Sequence, residues 1–478
     1  MTTKSDKGGG VVIMNKADYS AKMMNLLSDT STYEKKYQGY NNITSKNFNK
    51  EARKILRKSE KGKKLLHLLE ENPNPPKMRG LPKTHKPNIP MRPITSGIGS
   101  APHALAKRPA RPLSNALGSI NGAHLRNSAD LIQRLNSVDF RNKKMASFDV
   151  KSLFTNVPVE GAIEAVKRAS GDINEENLPI PREDYINLVE LCVKFGAFTF
   201  EGQEYSQHKG LAMGSPLSAV MACLYMETLE TDNFIRIMGR GSTWLRYVDD
   251  VLVIVPKGTN INNKLTLLNK VHKDIQFTVE EEQDNRLPFL DTVIWREEEG
   301  VSFSVYRKPT NKDNFIHYLS AHSMRVKSGV IIGFYLRAFR ICNNNFLEQE
   351  IRYIISTFKK LGYPEGLLVR LKNKAKKITT ENKENKDPCT TSKRERYICV
   401  PNSDKASAIN KYLSKTGLKI ATLAGEKIGE LTRTKETGLV NNNSVVYSIP
   451  CKGCTKQYIG ETGRGLKTRI TEHRRDVL

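Results

Sequence analysis

The sequence predicts an α+β fold, in which strand-like and helical patterns alternate without a regular βαβ repeat. Three observations support this prediction. Residues 144–149 form a strand-like run that ends in an acid, 195–205 read as a hairpin, and 244–255 read as two apolar strands joined by a tight turn. Helical spacing surrounds these strands, over residues 159–170, 182–195, 215–238 and 260–275.

Composition indicates a nucleic-acid-binding protein of several domains. The chain has 478 residues, which suits two to four domains of about 150 residues each. Its 77 Lys and Arg exceed its 50 Asp and Glu, for a formal net charge of +27. This surplus suits an anionic polymer as partner, because each neutralised phosphate releases counterions. A basic protein of ribosomal type, or one that is merely soluble, is the alternative.

Cysteine content and apolar runs indicate a soluble protein of a reducing compartment. The seven cysteines are odd in number and mostly scattered, which argues against a disulfide framework. The longest apolar runs are too short to span a bilayer, so we expect no membrane segment and an intracellular location. A basic run over residues 372–377 fits a nuclear localisation signal.

A basic region and a proline-rich segment begin the chain. Residues 47–71 have helical spacing, with basic residues crowded around one apolar face. Residues 72–115 are rich in Pro and Gly, and the prolines predict that no regular helix forms there. Lys83 and Arg92 lie in this segment, which is either an extended cationic hairpin suited to gripping a triphosphate or an ordinary surface loop.

Two adjacent acids stand at the predicted turn of residues 244–255. Asp249 and Asp250 lie between two apolar runs, which would hold them rigidly at a hairpin tip. Carboxylates on a stiff support suit two Mg²⁺ ions about 4 Å apart, the arrangement that nucleotidyl transfer requires. A simple turn is the alternative for such a pair alone, because Asp favours turns.

A third acid favours the catalytic interpretation. Asp149 ends a strand-like run about 100 residues earlier, where a neighbouring strand would supply it to the same site. Phe154 follows five residues later. Its ring would abut the C2′ of the sugar and exclude a ribonucleotide, and core packing is the equal alternative.

A glycine-containing loop lies between these acids in the sequence. Gly210 and Gly214 would let the backbone approach a base pair closely, because they carry no side chain. Pro216 would begin a helix, with Ser215 as its N-cap. By itself this pattern is typical of any loop before a helix. Its position in the sequence, between the acid sites, is what makes the pattern specific.

The order of these motifs resembles that of reverse transcriptases, and their amino-acid sequences resemble those of Penelope-like retroelements. The strings that carry the resemblance are GLPKTHKP (80–87), RPI (92–94), SFDV (147–150), SLFTNVP (152–158), AMGSPLS (212–218), YVDD (247–250), LPFLD (287–291) and VYRKPT (305–310), with DKG (6–8) and Tyr33. The resemblance covers nearly the whole chain.

The resemblance implies a right-hand polymerase with fingers, palm and helical thumb, followed by a linker and a partial α/β GIY-YIG endonuclease unit. The implied regions are 1–74 (basic N-terminal region), 75–304 (fingers and palm), 305–375 (thumb), 376–440 (linker) and 441–478 (partial endonuclease).

The implied activity is RNA-directed DNA polymerisation for a retrotransposon. Asp149, Asp249 and Asp250 would be the catalytic residues and would bind two Mg²⁺ ions, with Mn²⁺ as a substitute. The partners would be an RNA template, a DNA primer or target, and dNTPs. The residues that would contact the dNTP are Lys83, Arg92, Phe154, Gly214 and Ser215. A catalytically inactive, nucleic-acid-binding remnant is the alternative, and the sequence does not specify the oligomeric state.

The last residues resemble a GIY-YIG endonuclease. Tyr447, Tyr458 and Gly460 fit its two named strings, and Arg469 and His473 would share one helix face. By the resemblance, the metal-binding Glu of the family lies further downstream than Leu478. We therefore expect an incomplete nuclease that does not cleave DNA.

A pair of cysteines lies inside the same region. Cys451 and Cys454 have the CxxC spacing of zinc ligands, but a structural zinc site needs two more ligands. His473 is the one histidine that follows them. A turn with two free thiols is therefore the favoured interpretation over a Zn²⁺ site.

Overall fold

The structure is a computed structural model that describes residues 1–7, 10–298, 300–311, 313–320, 322–384, 396–401, 409, 412–413, 416, 418–423, 445–450, 457–462 and 470–472. Its contacts divide the chain into two units, Met1–Ser320 with Arg325–Pro388, and Ala321–Met324 with Cys389–Leu478. Within the described residues, none of the helices combines the length and the apolar character that crossing a bilayer requires.

The described helices follow one another along the chain. They are α1 (Lys16–Leu27), α2 (Tyr40–Arg57), α3 (Glu60–Lys63), α4 (His103–Ala116), α5 (Ser128–Leu135), α6 (Leu153–Asn156), α7 (Val159–Gly171), α8 (Arg182–Val193), α9 (Ser218–Leu229), α10 (Ile235–Met238), α11 (Ile261–Val271), α12 (Met324–Ile341), α13 (Asn344–Lys360) and α14 (Glu365–Glu384). A π-helical turn, Glu230–Phe234, joins α9 to α10.

The described strands form several sheets. They are β1 (Thr2–Lys4), β2 (Val11–Ile13), β3 (Tyr33–Lys35), β4 (Lys77–Pro82), β5 (Met91–Ser96), β6 (Lys143–Val150), β7 (Ala197–Phe200), β8 (Gln203–Gln207), β9 (Thr243–Tyr247), β10 (Asp250–Pro256), β11 (Phe277–Glu281), β12 (Arg286–Phe289), β13 (Thr292–Arg296), β14 (Val301–Val305), β15 (Arg396–Pro401), β16 (Leu418–Leu423), β17 (Val445–Pro450) and β18 (Gln457–Thr462).

A four-stranded antiparallel sheet of order β11-β6-β10-β9 carries the predicted acids. Its central strands are buried on both faces, which explains the continuous apolar run of β10. On one face, Phe148 and Val251 belong to a core that includes residues of α7 and α9. On the other, Met145 and Leu252 belong to a second core that includes residues of β12, β13 and β14. The sheet is thus a rigid support, as the sequence predicted.

A five-stranded sheet of order β3-β8-β7-β4-β5 contains the proline-rich segment. β4 and β5 pair antiparallel over 77–82 and 91–96, which confirms the predicted extended hairpin. The predicted turn between β7 and β8 is also confirmed. Glu201 and Gly202 have φ of 47° and 82°, the left-handed conformation of a two-residue hairpin loop.

The prediction that prolines prevent a helix throughout 72–115 was wrong for its last part. α4 spans His103–Ala116 and contains Pro109 and Pro112. Leu105, Pro109 and Leu113 are buried at helical spacing, and the Tyr185 hydroxyl donates a hydrogen bond of 2.6 Å to the carbonyl oxygen of Pro109. Burial of this apolar face offsets a local cost of about 3 kcal/mol per proline.

Two helix starts also differ from the predictions. α2 begins at Tyr40, before residue 47, because buried Asn41 and Ser45 continue its inner face and hide the apolar pattern. α9 begins at Ser218, so Ser215 is not its N-cap. Residues 215–218 form a turn instead, in which the Ser218 amide donates to the Ser215 carbonyl oxygen at 3.3 Å.

The helices after β14 run further than the predicted thumb. α14 continues past residue 376 to Glu384, and β15 pairs in parallel with β16, so ordered elements occupy part of the region predicted as a linker. Lys, Glu and Ala favour helices even where little apolar surface is buried, which composition alone misreads as an unstructured linker.

In the second unit, β17 pairs antiparallel with β18. Residues 470–472 are helical.

Candidate active site

The two acids Asp149 and Asp250 lie directly opposite each other on neighbouring strands. In the pairing of β6 with β10, the Cα of Asp149 is the partner of the Cα of Asp250. Opposed residues of an antiparallel pair point to the same face, with Cβ atoms about 4.5–5.5 Å apart. Two residues about 100 positions apart in sequence therefore present their carboxylates side by side, as the sequence predicted.

Asp249 lies in the tight turn that joins β9 to β10. Tyr247 pairs with Asp250, so Val248 and Asp249 form a two-residue loop. Val248 has φ of 58°, an unfavourable conformation for a β-branched residue. The Asp249 carbonyl oxygen accepts a hydrogen bond of 3.0 Å from the Val150 amide, next to Asp149. The turn is thus tied to the strand that carries the third acid.

A fully buried arginine braces this turn. Arg246 is 0% exposed and donates hydrogen bonds to the Val248 carbonyl oxygen at 3.3 Å and to the Cys223 carbonyl oxygen at 3.1 Å. It also forms an ion pair with Glu230, to which the Trp244 indole donates at 2.9 Å. Glu230 is the first residue of the π-helical turn and is fully buried.

We expect the Arg246→Ala substitution to lower the free energy of unfolding by about 3–5 kcal/mol, because it leaves the buried Glu230 carboxylate without a counter-charge. Denaturant unfolding monitored by circular dichroism measures the change. Arg141→Ala is the control, since Arg141 and its partner Asp139 are both exposed and their pairing contributes little. Equal losses in the two variants would contradict the bracing role.

The negative charges of the three carboxylates repel one another. Burial, followed by the charges of Asp249 and Asp149, raises the pKa of Asp250 to about 6. Burial and the charge of Asp249 also raise the pKa of Asp149. Lys7 and Lys308 act in the opposite direction on both carboxyl groups. Clustered carboxylates that destabilise each other's charge are the chemistry that a cation relieves.

The donor set therefore fits a divalent metal ion by charge and by its hard oxygen ligands. Among the residues that the structure describes, however, no three His, Cys, Asp or Glu side chains are grouped closely enough to hold an ion as they stand. Asp149 and Asp250 share one face of the sheet, and Asp249 lies in the adjoining turn.

Asp149 and Asp250 open into a cleft of about 820 Å³. Three cations, Lys7, Lys86 and Lys308, line the same cleft. A space of this size that both acids and lysines line suits a ligand that combines metal ions with phosphate groups.

The predicted phosphate contacts Lys83 and Arg92 are beside this cleft but do not line it. Lys83 follows β4, and Arg92 lies on β5, where it pairs with Leu81. Burial, followed by the charges of Arg92 and Lys86, lowers the pKa of Lys83. The two predicted residues are thus part of one cationic cluster at the end of the hairpin.

The loop of residues 210–214 joins the predicted sugar-contacting residue to β5. The Leu211 amide donates to the Phe154 carbonyl oxygen at 2.6 Å, and the Thr95 amide donates to the Met213 carbonyl oxygen at 2.8 Å. A Cβ added at Gly214 would lie 2.1 Å from the Thr95 carbonyl oxygen. Glycine therefore permits a close approach to the backbone of β5, and the predicted approach to a base pair stays a prediction.

Phe154 and Ser215 do not line the cleft either. Phe154 is partly buried against the main core, so its packing role is observed and its sugar contact stays a prediction. Ser215 lines a separate small cavity together with Thr95 and Pro216.

Several cleft residues were missed as site residues. Lys7 and Lys308 lie in the motifs DKG and VYRKPT, which supported the family resemblance but did not predict a site role for either lysine. Asp291 also lines the cleft and accepts a hydrogen bond from the Ser128 hydroxyl. The role of Arg246 could not be predicted from the sequence, because one basic residue before an acidic turn has no distinctive spacing.

The predicted nuclease residues are only partly described. Tyr447 lies opposite Gly460 in the pairing of β17 with β18, and Tyr458 lies opposite Ile449. The positions outside the described residues are Cys451, Cys454, Arg469 and His473.

Comparison with known families gives two matches. A model described as reverse transcriptase (RNA-dependent DNA polymerase) matches residues 110–283, and one described as animal helix-turn-helix domain matches residues 314–373. The first range contains the three acids, and the second contains α12, α13 and the N-terminal part of α14.

The chain is also similar to a telomerase reverse transcriptase of Takifugu rubripes, with 25% identity over 134 residues, or 28% of this chain. The chain spans only 12% of that relative's length in this match. Among solved structures it is similar to telomerase from Candida albicans in complex with a fragment of telomeric RNA. That match has a TM-score of 0.54 and 10% identity, and it covers 81% of this chain and 68% of the other.

Residues 110–283 thus match a reverse transcriptase domain, the kind of domain that carries RNA-directed DNA polymerase activity in its family. The structural likeness shows a right-hand polymerase-like fold of mixed helix and sheet.

Proposed function

We propose that this chain copies RNA into DNA for a Penelope-like retroelement, by nucleotidyl transfer at Asp149, Asp249 and Asp250. One observation carries the proposal: Asp149 and Asp250 stand opposite each other on the floor of a cleft that lysines line, with Asp249 in the adjoining turn. The Penelope-like assignment is supported by the strings around these residues, from GLPKTHKP to VYRKPT.

The acids would hold the metal ions, because clustered carboxylate oxygens suit divalent cations. When bound, two Mg²⁺ ions would activate the primer 3′-hydroxyl and stabilise the leaving pyrophosphate, and Mn²⁺ would substitute. The carboxylates of Asp149 and Asp249 would hold both ions, with Asp250 assisting. Arg246 keeps the turn in place, because it bonds the Val248 carbonyl oxygen beside Asp249.

The cationic residues would receive the triphosphate of the dNTP. Lys83 and Arg92 lie at the end of the β4–β5 hairpin, and Lys86 extends their charge into the cleft. Their ammonium and guanidinium groups would bind phosphate oxygens by charge-assisted hydrogen bonds. This binding orients the α-phosphate toward the primer end, which lowers the entropic part of the barrier.

The helices after β14 would hold the template–primer duplex as a thumb. Basic residues are frequent in α12, α13 and α14, and the duplex backbone is a polyanion. RNA template and DNA primer are therefore the proposed partners. Priming from chromosomal DNA would place the enzyme in the nucleus.

The two strands β17 and β18 support a GIY-YIG-like unit at the C-terminal end of the described residues, since Tyr447 and Gly460 are register partners. The catalytic roles of its residues stay predictions.

Primer extension tests the proposed function. The purified chain, an RNA template annealed to a DNA primer, and all four dNTPs with Mg²⁺ should give full-length DNA, and excess EDTA should abolish it. RNA binding without extension, in Mg²⁺ and in Mn²⁺, would instead support the alternative of a catalytically inactive, nucleic-acid-binding remnant.

Phe154→Ala should make the enzyme accept ribonucleotides. Removal of the ring opens space for a 2′-hydroxyl, so the ratio of kcat/KM for UTP to that for dTTP should rise at least about tenfold. Extension of one primer–template with each nucleotide measures the ratio. Phe195→Ala is the control, since Phe195 packs against the same core at another place and should leave the ratio unchanged.

A further inference from the structure

The N-terminal hairpin is anchored beside the candidate active site. β1 pairs with β2, and the loop between them passes close to the end of β4, where the Asp6 amide donates to the Pro82 carbonyl oxygen at 3.0 Å. Val11 and Ile13 are 70% and 82% exposed, so apolar burial on their side does not hold the hairpin in place. Polar contacts with the β4–β5 hairpin hold the N-terminal hairpin in place instead.

The carboxylate of Asp6 makes the most specific of these contacts. Its side chain is 1% exposed, and its Oδ1 lies 3.1 Å from Nε of Arg92, the residue predicted to bind phosphate. Its Oδ2 has no hydrogen-bond partner in the described part of the chain. A buried carboxylate is costly without a counter-charge, so Asp6 depends on Arg92 and also restrains its guanidinium.

The Arg92 guanidinium has hydrogen-bond donors that Asp6 does not use. Its side chain is 41% exposed, and Asp6 is its one ion-pair partner among the described residues. The pairing through Nε leaves the two terminal nitrogens for another anion, in the fork geometry that suits phosphate.

Lys7, the next residue, lines the cleft itself. It shares that cleft with Asp149, Asp250, His85 and Lys86. Within the described residues no carboxylate forms an ion pair with Lys7. An unpaired ammonium beside the acids, on the side of the cationic hairpin, is available to the phosphates of a nucleotide that reaches those acids.

We propose that the N-terminal loop completes the nucleotide site: Asp6 positions the Arg92 guanidinium, and Lys7 binds the triphosphate of the incoming dNTP. The proposal rests on the proposed function of the chain. It adds residues that lie outside the matched reverse transcriptase domain of 110–283. The competing explanation is that Lys7 merely neutralises Asp149 and Asp250, without touching substrate.

Equilibrium binding of dTTP and steady-state extension together test the role of Lys7. Lys7→Ala should weaken dTTP binding and raise the KM for dTTP about tenfold or more, the effect of losing one charge-assisted contact. The Kd for the template–primer should stay unchanged, and Lys7→Arg should restore most of the loss. Lys4→Ala, an exposed lysine on β1, is the matched control and should resemble the unsubstituted chain.

The role of Asp6 is tested by a double-mutant cycle with Arg92. Asp6→Asn and Arg92→Lys should each raise the KM for dTTP, and together they should raise it by less than the product of the single effects, because both remove the same anchored guanidinium. Thermal unfolding of each variant is measured alongside, and single effects on the KM that multiply in full in the double variant would overturn the positioning role of Asp6.

The outcomes separate this proposal from the proposed function. If Lys7→Ala and Lys4→Ala bind dTTP as tightly as the unsubstituted chain, the proposal is overturned, whether or not primers are extended. Loss of dTTP binding in Lys7→Ala upholds it, even if the chain extends no primer and the proposed function fails. A change confined to kcat, with dTTP binding intact, would overturn it in favour of charge neutralisation alone.

Discussion

Asp249→Asn is expected to lower the rate of primer extension on the order of 10³-fold, while binding of the RNA template and DNA primer is retained. Asparagine has nearly the same shape but carries no charge, so the turn survives and the affinity for the metal ions is lost. Single-turnover extension in Mg²⁺ measures the rate, and gel mobility measures binding.

Asp284→Asn is the matched control for this substitution. Asp284 also lies in a tight hairpin turn, between Gln283 and Arg286, with φ of 50°, and it is exposed outside the cleft. Its substitution should leave the rate within twofold, since Asn tolerates the same conformation. If Asp249→Asn extended primers as fast as Asp284→Asn, the catalytic assignment of the acids would be abandoned.

Gly214→Ala should abolish extension and destabilise the fold by about 2–4 kcal/mol. The new Cβ would lie 2.1 Å from the Thr95 carbonyl oxygen, and Gly214 has φ of 134°, where L side chains are strained. The loop must move away from β5, which breaks the hydrogen bond from the Thr95 amide to the Met213 carbonyl oxygen. Both the denaturation midpoint and the extension rate report the change.

Gly258→Ala is the control, because a Cβ there meets no atom within 4 Å and its φ is not positive. It should change the free energy of unfolding by less than about 0.5 kcal/mol and leave extension intact. A Gly214→Ala protein as stable and as active as Gly258→Ala would show that the close approach to Thr95 is not required.

The acid site could be predicted because its elements are local. The run around Asp249 and Asp250 is apolar on both sides, and such runs become central strands that are covered on both faces. The turn between them then follows from the two residues that separate the strands. The same reasoning placed Asp149 at the end of β6, and the chemistry of nucleotidyl transfer predicted its supply to the same site; the register that sets it opposite Asp250 is a finding of the tertiary structure.

Local rules failed where burial outweighed them. Pro109 and Pro112 predict a break, yet α4 continues through both because its apolar face is buried in the main core. The prediction of a linker from residue 376 failed for the opposite reason, since polar composition still permits the helix α14 to reach Glu384.

By itself, the sequence predicted the proposed chemistry of this protein: two carboxylates on stiff strands and a third in the adjoining turn, a glycine at the loop, and basic residues in a hairpin. Spacing along the chain was enough because strands and turns are short-range structures. Only the tertiary structure decided that Asp6 pairs with Arg92, that Lys7 enters the cleft and that Arg246 braces the turn. Charge pairing and desolvation depend on distance through space and on burial, and separation along the chain specifies neither.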